Sequence, residues 1–180
     1  EGRPAPEILP APCRTFDPPV PALRFTGVAY AYLKIAEGCA HKCAYCAIPG
    51  IRGKYRSRAK AAILKEAKAL VASGCRELNV VAQDPMLWGV DLGSDLVSLL
   101  KALDKIPGDF WIRVLYSYPS EITDGFLEWL RTSPHAVRYV DVPVQHTDPA
   151  VLKLMARGGA VAATRGAAAR PFRARRCAPR

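Results

Sequence analysis

Apolar and polar residues along the chain fall into repeated blocks, each pairing a short apolar run with a longer stretch of helical spacing. Because strand and helix alternate, we expect right-handed crossovers on a parallel sheet, either an open sheet or a partial barrel. The fold class is therefore α/β with about four βα units. The runs that predict strands are residues 29–35, 78–82, 110–116 and 137–144, and the stretches that predict helices are 59–73, 94–103, 120–131 and 149–156.

Polar and cysteine-bearing segments follow three of the predicted strands. A cysteine-containing loop follows the first strand, Gln83 and Asp84 end the second, and Gln145 and His146 end the fourth. In both open sheets and barrels of parallel strands, chemistry collects where the strands end at their carboxyl side. The sequence therefore predicts one active site at this edge of the sheet.

The two ends of the chain depart from the alternating pattern. Seven of the 16 prolines lie between Pro4 and Pro21, which predicts a Pro-rich interdomain linker over residues 1–28. The core is expected over residues 29–158. Residues 159–180 are rich in Ala and Arg without an apolar stripe, which predicts a disordered tail or a truncated or frame-shifted end. The chain begins with a residue other than Met, so we expect a fragment or a processed form.

The net charge of +10 depends on the end of the chain. Seven arginines and no acidic residue lie between Arg157 and Arg180, and without them 19 basic and 16 acidic residues leave a net charge of +3. The body is only mildly basic, so its charge predicts no particular partner. No apolar run approaches the roughly 18 residues of a membrane span, and no signal peptide is recognisable. We expect a cytoplasmic protein with no membrane contact.

A stretch of alternating cations offers a possible RNA contact. In an extended chain these residues would share one face and could meet phosphates. A solvated loop is the stronger alternative. The cations are Arg52, Lys54, Arg56, Arg58 and Lys60.

Three of the six cysteines crowd into eight residues, as Cys39, Cys43 and Cys46. Such spacing is unlike a secreted disulfide framework and favours metal ligation in a reducing compartment. Three thiolates on one loop can bind three irons of a 4Fe-4S cluster and leave the fourth iron open. The alternatives are a structural zinc with His41 as fourth ligand, or free thiols without metal. Cys75, after the first helix, is expected to be a small buried residue.

The Cys-x3-Cys-x2-Cys spacing, with Tyr45 before its last cysteine, resembles the signature of the radical S-adenosylmethionine enzymes. Residues 32–39 and 48–58 resemble the methylthiotransferases within that superfamily. Residues 77–84, 111–119 and 141–146 are similar to the branch that modifies an aspartate of a ribosomal protein, the RimO type. The resemblance covers about residues 29–158 and implies a partial (β/α) barrel.

The resemblance implies two cofactors, a 4Fe-4S cluster on Cys39, Cys43 and Cys46 and S-adenosylmethionine at the open iron. It implies addition of a methylthio group to the beta carbon of an aspartate in a small-subunit ribosomal protein, with an electron donor of the flavodoxin or ferredoxin class. No side chain receives a catalytic role, because the radical chemistry belongs to the cofactors. The alternatives are methylthiolation of modified adenosine in transfer RNA, or a non-catalytic truncated metal-binding remnant.

The resemblance also implies cofactor contacts for four residues. Tyr45 is expected against the adenine, Gln83 and Asp84 at the methionine amino group, and His146 as a hydrogen-bond donor to cofactor or substrate. Each has a structural alternative: a packed loop aromatic for Tyr45, a capping or turn residue for Asp84, and a structural histidine for His146. Arg113 either reaches inward to a carboxylate or forms an internal ion pair.

The sequence departs from the family that it resembles in three places. Family members carry an N-terminal domain with three further cysteines, whereas only Cys13 precedes residue 29 here. They also carry further strands and a C-terminal domain that resembles RNA-binding barrels. Residues 85–88, Pro-Met-Leu-Trp, stand where Thr-Thr-x-Tyr is expected. We therefore predict that this chain binds a cluster, and that complete turnover requires the other domains.

Overall fold

The computed structural model describes Gly27 and residues 29–157. Apart from Gly27, the predicted linker lies outside the described residues, and so does the predicted tail. The domain boundaries at residues 28 and 158 therefore stay a prediction. The elements in chain order are β1 (Tyr30–Lys34), β2 (Ala36–Glu37), α1 (Ile48–Arg52), β3 (Arg56–Ser57), α2 (Lys60–Ala72), β4 (Glu77–Val81), α3 (Leu96–Leu103), β5 (Trp111–Val114), α4 (Asp124–Thr132) and α5 (Pro149–Leu154).

A three-stranded parallel sheet in the order β1-β4-β5 forms the framework. The first three predicted strands and all four predicted helices are confirmed, with boundaries that shift by a few residues. Each sheet crossover carries one or two helices, which is the connection that parallel strands require. The carboxyl ends of β1, β4 and β5 consequently meet at one edge of the sheet.

One face of the sheet is buried, and the other is exposed along β1 but partly covered at β4, where Asn79 is buried. In β1, Ala31 and Leu33 are buried while Tyr30 and Tyr32 are exposed, as the two-residue period of a strand requires. The buried face joins α2, α3 and α4 in a single hydrophobic core. The helix α3 contributes leucines at positions 96, 99, 100 and 103, the spacing of an amphipathic helix, and Asp95 caps it by accepting from the Ser98 amide.

The prediction of a regular fourth strand over residues 137–144 is wrong. The chain makes one parallel bridge to the sheet just before this segment, between Ile112 and Ala136, and then leaves the ladder. The Tyr139 amide donates to the Val137 carbonyl 2.8 Å away, so it is turned into its own segment instead of toward β5. Pro143 has no amide hydrogen to donate. Apolar composition alone therefore did not produce ladder pairing, and the segment follows β5 as an irregular extended chain.

A short antiparallel pair that the sequence did not predict closes the base of the cysteine loop. β2 pairs with β3, so that residues 38–55 leave and return at one point. Gly38 lies at this point with φ of 74°, and a Cβ there would stand 2.3 Å from the Lys54 carbonyl oxygen. Only glycine fits so close an approach. The β2–β3 pair therefore places the loop beyond the carboxyl end of β1.

No helix among the described residues combines the length and the apolar character that crossing a bilayer requires.

Candidate functional site

The cysteine loop lies at the carboxyl edge of the sheet, as predicted. Cys39, Cys43 and Cys46 are half-buried free thiols, and the Cys46 amide donates to the Cys43 carbonyl 3.0 Å away. Burial raises the pKa of the Cys39 thiol, a backbone hydrogen bond at His41 opposes this effect, and the negative charges of Asp84 and the other two cysteines add to it. Cys43 and Cys46 therefore act on Cys39 from within the same loop.

The donor set of this loop fits an iron–sulfur cluster better than a zinc ion. Its three thiols can each bind a different iron of a 4Fe-4S cluster and leave the fourth iron open. A structural zinc site needs a fourth protein ligand, for which His41 is the candidate. The Nε2 atom of His41 is hydrogen-bonded to Asp84, which leaves only Nδ1 for a metal.

Asp84 is fully buried at the end of β4, and both of its carboxylate oxygens are engaged. Oδ2 lies 2.5 Å from the His41 Nε2 atom, and Oδ1 accepts from the Met86 amide at 3.1 Å. This is the turn-capping arrangement that sequence analysis gave as the alternative. A hydrogen bond from the ammonium group of a bound methionine would have to use the second lone pair of an Asp84 oxygen that already has a hydrogen-bond partner.

Gln83, beside Asp84, has a free acceptor. Its Oε1 atom is shielded from solvent and has no hydrogen-bond partner among the described residues. Ser117, which follows β5 at the same edge, is fully buried, and its Oγ atom likewise lacks a partner there. Buried polar atoms are rarely left unsatisfied, so these two are the groups that a bound ligand can complete. Sequence reasoning missed Ser117, although its place after a strand end matches that of Gln83.

The backbone is strained at this edge. Tyr116 and Gln145 have φ of 65° and 67°, the left-handed region that residues other than glycine seldom adopt. The carboxylate Oδ2 of Asp141 accepts from the Tyr116 amide at 3.1 Å, and the Asp141 carbonyl accepts from the Ser117 amide at 2.8 Å. Strained residues of this kind cluster at active sites and ligand clamps, which supports the location of the site.

Tyr45 and His146 lie at the same edge but differ in their surroundings. Tyr45 is half-exposed on the loop, and its hydroxyl accepts from Arg157 at 3.2 Å. His146 is exposed, and its Nδ1 atom accepts from the Asp148 amide at 3.0 Å, just before α5. His146 thus has the structural contact given as its alternative, while Tyr45 keeps an accessible ring.

Arg157 is a site residue that sequence analysis missed, because it was counted with the arginines at the end of the chain. The structure buries it against the cysteine loop, with its Nη1 atom 3.7 Å from the Cys43 sulfur. The only signal in the sequence is its position directly after the last predicted helix, which is a weak one.

The alternating cations do not share one exposed face. Arg58 is buried, donates to the Lys34 carbonyl at 2.6 Å and pairs with Glu66 at 2.7 Å. The Lys60 ammonium donates to the Ser98 carbonyl at 2.9 Å. The prediction that these cations align on one face is therefore wrong. Residues 52–60 are divided between α1, β3 and α2 and do not form one extended segment.

Arg113 and Cys75 take structural roles. The guanidinium of Arg113 forms a two-point ion pair with Glu77 on the neighbouring strand, at 2.7 and 3.2 Å. This hydrogen-bonded pairing raises the pKa of Arg113, although partial burial opposes the effect. Cys75 is buried in the core, as predicted, with its sulfur 3.2 Å from the Glu77 carbonyl oxygen.

Comparison with protein families gives the class that this site defines. A family model described as the radical SAM superfamily matches residues 33–170, and the chain belongs to that superfamily. Membership confirms the α/β partial-barrel fold class and, as a property of the class, the pairing of a 4Fe-4S cluster with S-adenosylmethionine.

Among curated proteins, the chain is similar to several named ribosomal protein uS12 methylthiotransferase RimO. It is 44% identical over 144 residues to the one from Caldanaerobacter subterraneus subsp. tengcongensis, covering 79% of this chain and 33% of the relative. It is 50% identical over 132 residues to the one from Clostridium tetani, covering 72% and 30%. The chain thus spans about a third of the length of these relatives.

Among solved structures, the chain resembles the radical S-adenosylmethionine methyltransferase TsrM from Kitasatospora setae, solved with cobalamin and a [4Fe-4S] cluster bound. The TM-score is 0.56 at 21% identity, over 68% of this chain and 24% of that one. At this identity the likeness supports the fold alone.

Proposed function

We propose that the chain is the radical core of a methylthiotransferase that adds a methylthio group to the beta carbon of an aspartate in ribosomal protein uS12. The observation that carries the proposal is the 44–50% identity to RimO proteins over 72–79% of this chain. The thiols and the unsatisfied acceptors at the carboxyl edge of the sheet support it.

In this proposal Cys39, Cys43 and Cys46 hold three irons of a 4Fe-4S cluster. The fourth iron, which the loop leaves without a protein ligand, would be open to the amino and carboxylate groups of S-adenosylmethionine. When bound, the two cofactors supply a 5'-deoxyadenosyl radical that can remove hydrogen from an unactivated carbon. The protein residues bind and orient the reacting groups and keep water away from them.

The chain's own polar groups define how the cosubstrate is oriented. The buried Oε1 atom of Gln83 would accept a hydrogen bond from the amino group of the methionine part, a contact that would satisfy an otherwise unpaired atom. The Ser117 hydroxyl is a second free polar group at the same edge. The exposed ring of Tyr45 can contact the adenine. Asp84 holds the cysteine loop through its hydrogen bond with His41. His146 lies at the rim, where it is accessible to substrate.

Further parts of the proposal rest on the sequence alone. The electron donor is of the flavodoxin or ferredoxin class, and the protein acts in the cytoplasm. The linker over residues 1–28 joins the core to a preceding domain. Complete turnover requires the domains that the longer relatives carry.

Anaerobic reconstitution with iron and sulfide, followed by reduction in the presence of S-adenosylmethionine, tests this function. We expect release of 5'-deoxyadenosine by the wild-type chain and none by Cys43→Ala. Mass spectrometry of uS12 and of transfer RNA containing modified adenosine, each incubated with a full-length version that carries the further domains, then tests the substrate. A methylthio group on the transfer RNA alone would overturn the substrate assignment, and absence of 5'-deoxyadenosine would overturn the enzymatic one.

A further inference from the structure

Arg157 lies three residues beyond the end of α5 and is buried. The helix ends in a Schellman turn: the Arg157 amide donates to the Leu152 carbonyl at 2.9 Å, and the Ala156 amide to the Lys153 carbonyl at 3.0 Å. Ala156 has the positive φ, 50°, that this turn requires. The turn fixes the backbone of Arg157, which is 4% exposed, beside the cysteine loop.

The guanidinium of Arg157 joins the cysteine loop to the segment before α5. Its Nη1 atom lies 3.2 Å from the Tyr45 hydroxyl and 3.7 Å from the Cys43 sulfur, and its Nη2 atom donates to the Pro143 carbonyl at 2.7 Å. Its central carbon also lies 4.4 Å from the centre of the Tyr118 ring, a cation–π contact. One side chain therefore contacts both sides of the site.

A backbone contact reinforces the same junction. The Ala44 amide, between Cys43 and Tyr45, donates to the Met155 carbonyl at 3.0 Å. The residues on both sides of this amide are those that Arg157 contacts. The position of the central cysteine is thus set by the end of α5 as well as by the loop itself.

The charge of Arg157 has no carboxylate partner within 4 Å in the described part of the chain, and its buried Nε atom has no hydrogen-bond partner there. A buried charge without a counter-ion is costly. The Cys43 sulfur lies 3.7 Å from the guanidinium, so the cluster that this sulfur would ligate brings an anionic group beside the charge. The position of Arg157 therefore suits an anionic group that is bound at the site and is not part of the protein.

We propose that Arg157 is a positioning residue that fixes Cys43 and Tyr45 and supplies a positive charge beside the Cys43 sulfur. This proposal rests on the proposed function, because the anion it invokes is the cluster held by the loop. Hydrogen bonds and charges near the ligand sulfurs set the reduction potential of a cluster. A cation there favours the reduced, more negative state, so its removal lowers the potential.

The first test needs no cluster. Hydrogen exchange at the Ala44 amide is measured in the metal-free wild-type chain and in Arg157→Gln, with circular dichroism to confirm folding. Loss of a buried charge-assisted hydrogen bond is expected to speed exchange by about tenfold. The matched control is Arg138→Gln, because Arg138 also donates to two backbone carbonyls, those of Leu130 and Arg131, yet has no contact with the loop.

The second test is the midpoint potential of the reconstituted cluster, followed by electron paramagnetic resonance. Arg157→Gln is expected to give a lower potential than the wild type. Arg157→Lys keeps the charge but not the planar fork, so its potential is expected to stay closer to the wild type while Ala44 exchange is still faster. Arg138→Gln is expected to change neither quantity. If Arg157→Gln does not fold, Arg157→Lys decides the exchange test.

Unchanged exchange in both Arg157 variants would overturn the proposal. Faster exchange with equal potentials in the wild type, Arg157→Gln and Arg157→Lys would also overturn it, since a purely structural arginine behaves in this way. A wild-type chain that takes up no cluster would instead overturn the proposed function. The exchange test on the metal-free chain would then decide the positioning role separately.

Discussion

His41 and Asp84 join the cysteine loop to the sheet, with the His41 Nε2 atom 2.5 Å from the Asp84 Oδ2 atom. The His41 ring also stacks on Tyr118, which follows β5, with ring centres 3.8 Å apart and planes 10° from parallel. A side chain between Cys39 and Cys43 thus contacts the ends of two neighbouring strands. The sulfurs are held by the core of the fold as well as by the loop.

Asp84→Ala is expected to lower the free energy of unfolding by about 2 to 4 kcal/mol. The substitution removes the acceptor of both His41 and the Met86 amide and leaves a buried donor without a partner. Urea unfolding of the metal-free chain under reducing conditions measures the change. Asp109→Ala is the control, because Asp109 pairs with Arg76 on the surface, where such pairs contribute about 0 to 1 kcal/mol. Equal effects of the two substitutions would contradict this account of Asp84.

Trp88→Phe is expected to destabilise the chain by about 1 to 3 kcal/mol, through a lost hydrogen bond and a partly unfilled site. Trp88 is fully buried, and its Nε1 atom donates to the Arg58 carbonyl at 3.1 Å. Trp88 belongs to residues 85–88, which differ from the Thr-Thr-x-Tyr stretch expected of the family. The expected loss of stability would show that residues 85–88 are a packed part of the core. Trp111→Phe, at an exposed position, is expected to change the unfolding free energy by less than about 0.5 kcal/mol in the same experiment.

Asp91 is expected to make the stability of the chain depend on pH in the acid range. Partial burial raises the pKa of Asp91, but hydrogen bonds from Ser57 outweigh it and hold the pKa below the ordinary value of 3.8. A carboxyl with a lowered pKa stabilises the folded state above its unfolded pKa, and this contribution is lost as the pH falls through the folded pKa.

We therefore expect the wild type to be more stable than Asp91→Asn at pH 6, and the difference to shrink steadily below about pH 4. Urea unfolding of both chains across this range measures it. A difference that stays constant with pH would show that the charge of Asp91 does not contribute.

The sequence predicted the parts of the fold that depend on local pattern. The strands β1, β4 and β5 were predicted because buried parallel strands are short apolar runs, and α2 because Ile63, Leu64, Ala67, Leu70 and Val71 recur at helical spacing. The run at 137–144 has the same apolar character. Its failure to form a strand depends on the Tyr139 amide bonding within its own segment, which composition does not reveal.

The cysteines were recognisable as a candidate site because their spacing is a local property. Arg157 was not, since an arginine is normally exposed and only tertiary contacts with Cys43 and Tyr45 bury it here. The engagement of Asp84 with His41 was likewise hidden, because the two residues are 43 positions apart. Contacts between distant segments decide which polar atoms remain free, and Gln83 and Ser117 could only be distinguished from Asp84 on that basis.

The most direct test of the central claim is anaerobic iron–sulfur reconstitution of the wild type, Cys43→Ala and Cys75→Ala. The third chain loses a cysteine that is buried in the core, away from the loop. We expect about four irons in the wild type and Cys75→Ala, a paramagnetic signal of the reduced cluster that changes when S-adenosylmethionine is added, and loss of that response in Cys43→Ala. Retention of the response in Cys43→Ala, or a wild-type signal indifferent to S-adenosylmethionine, would contradict the account.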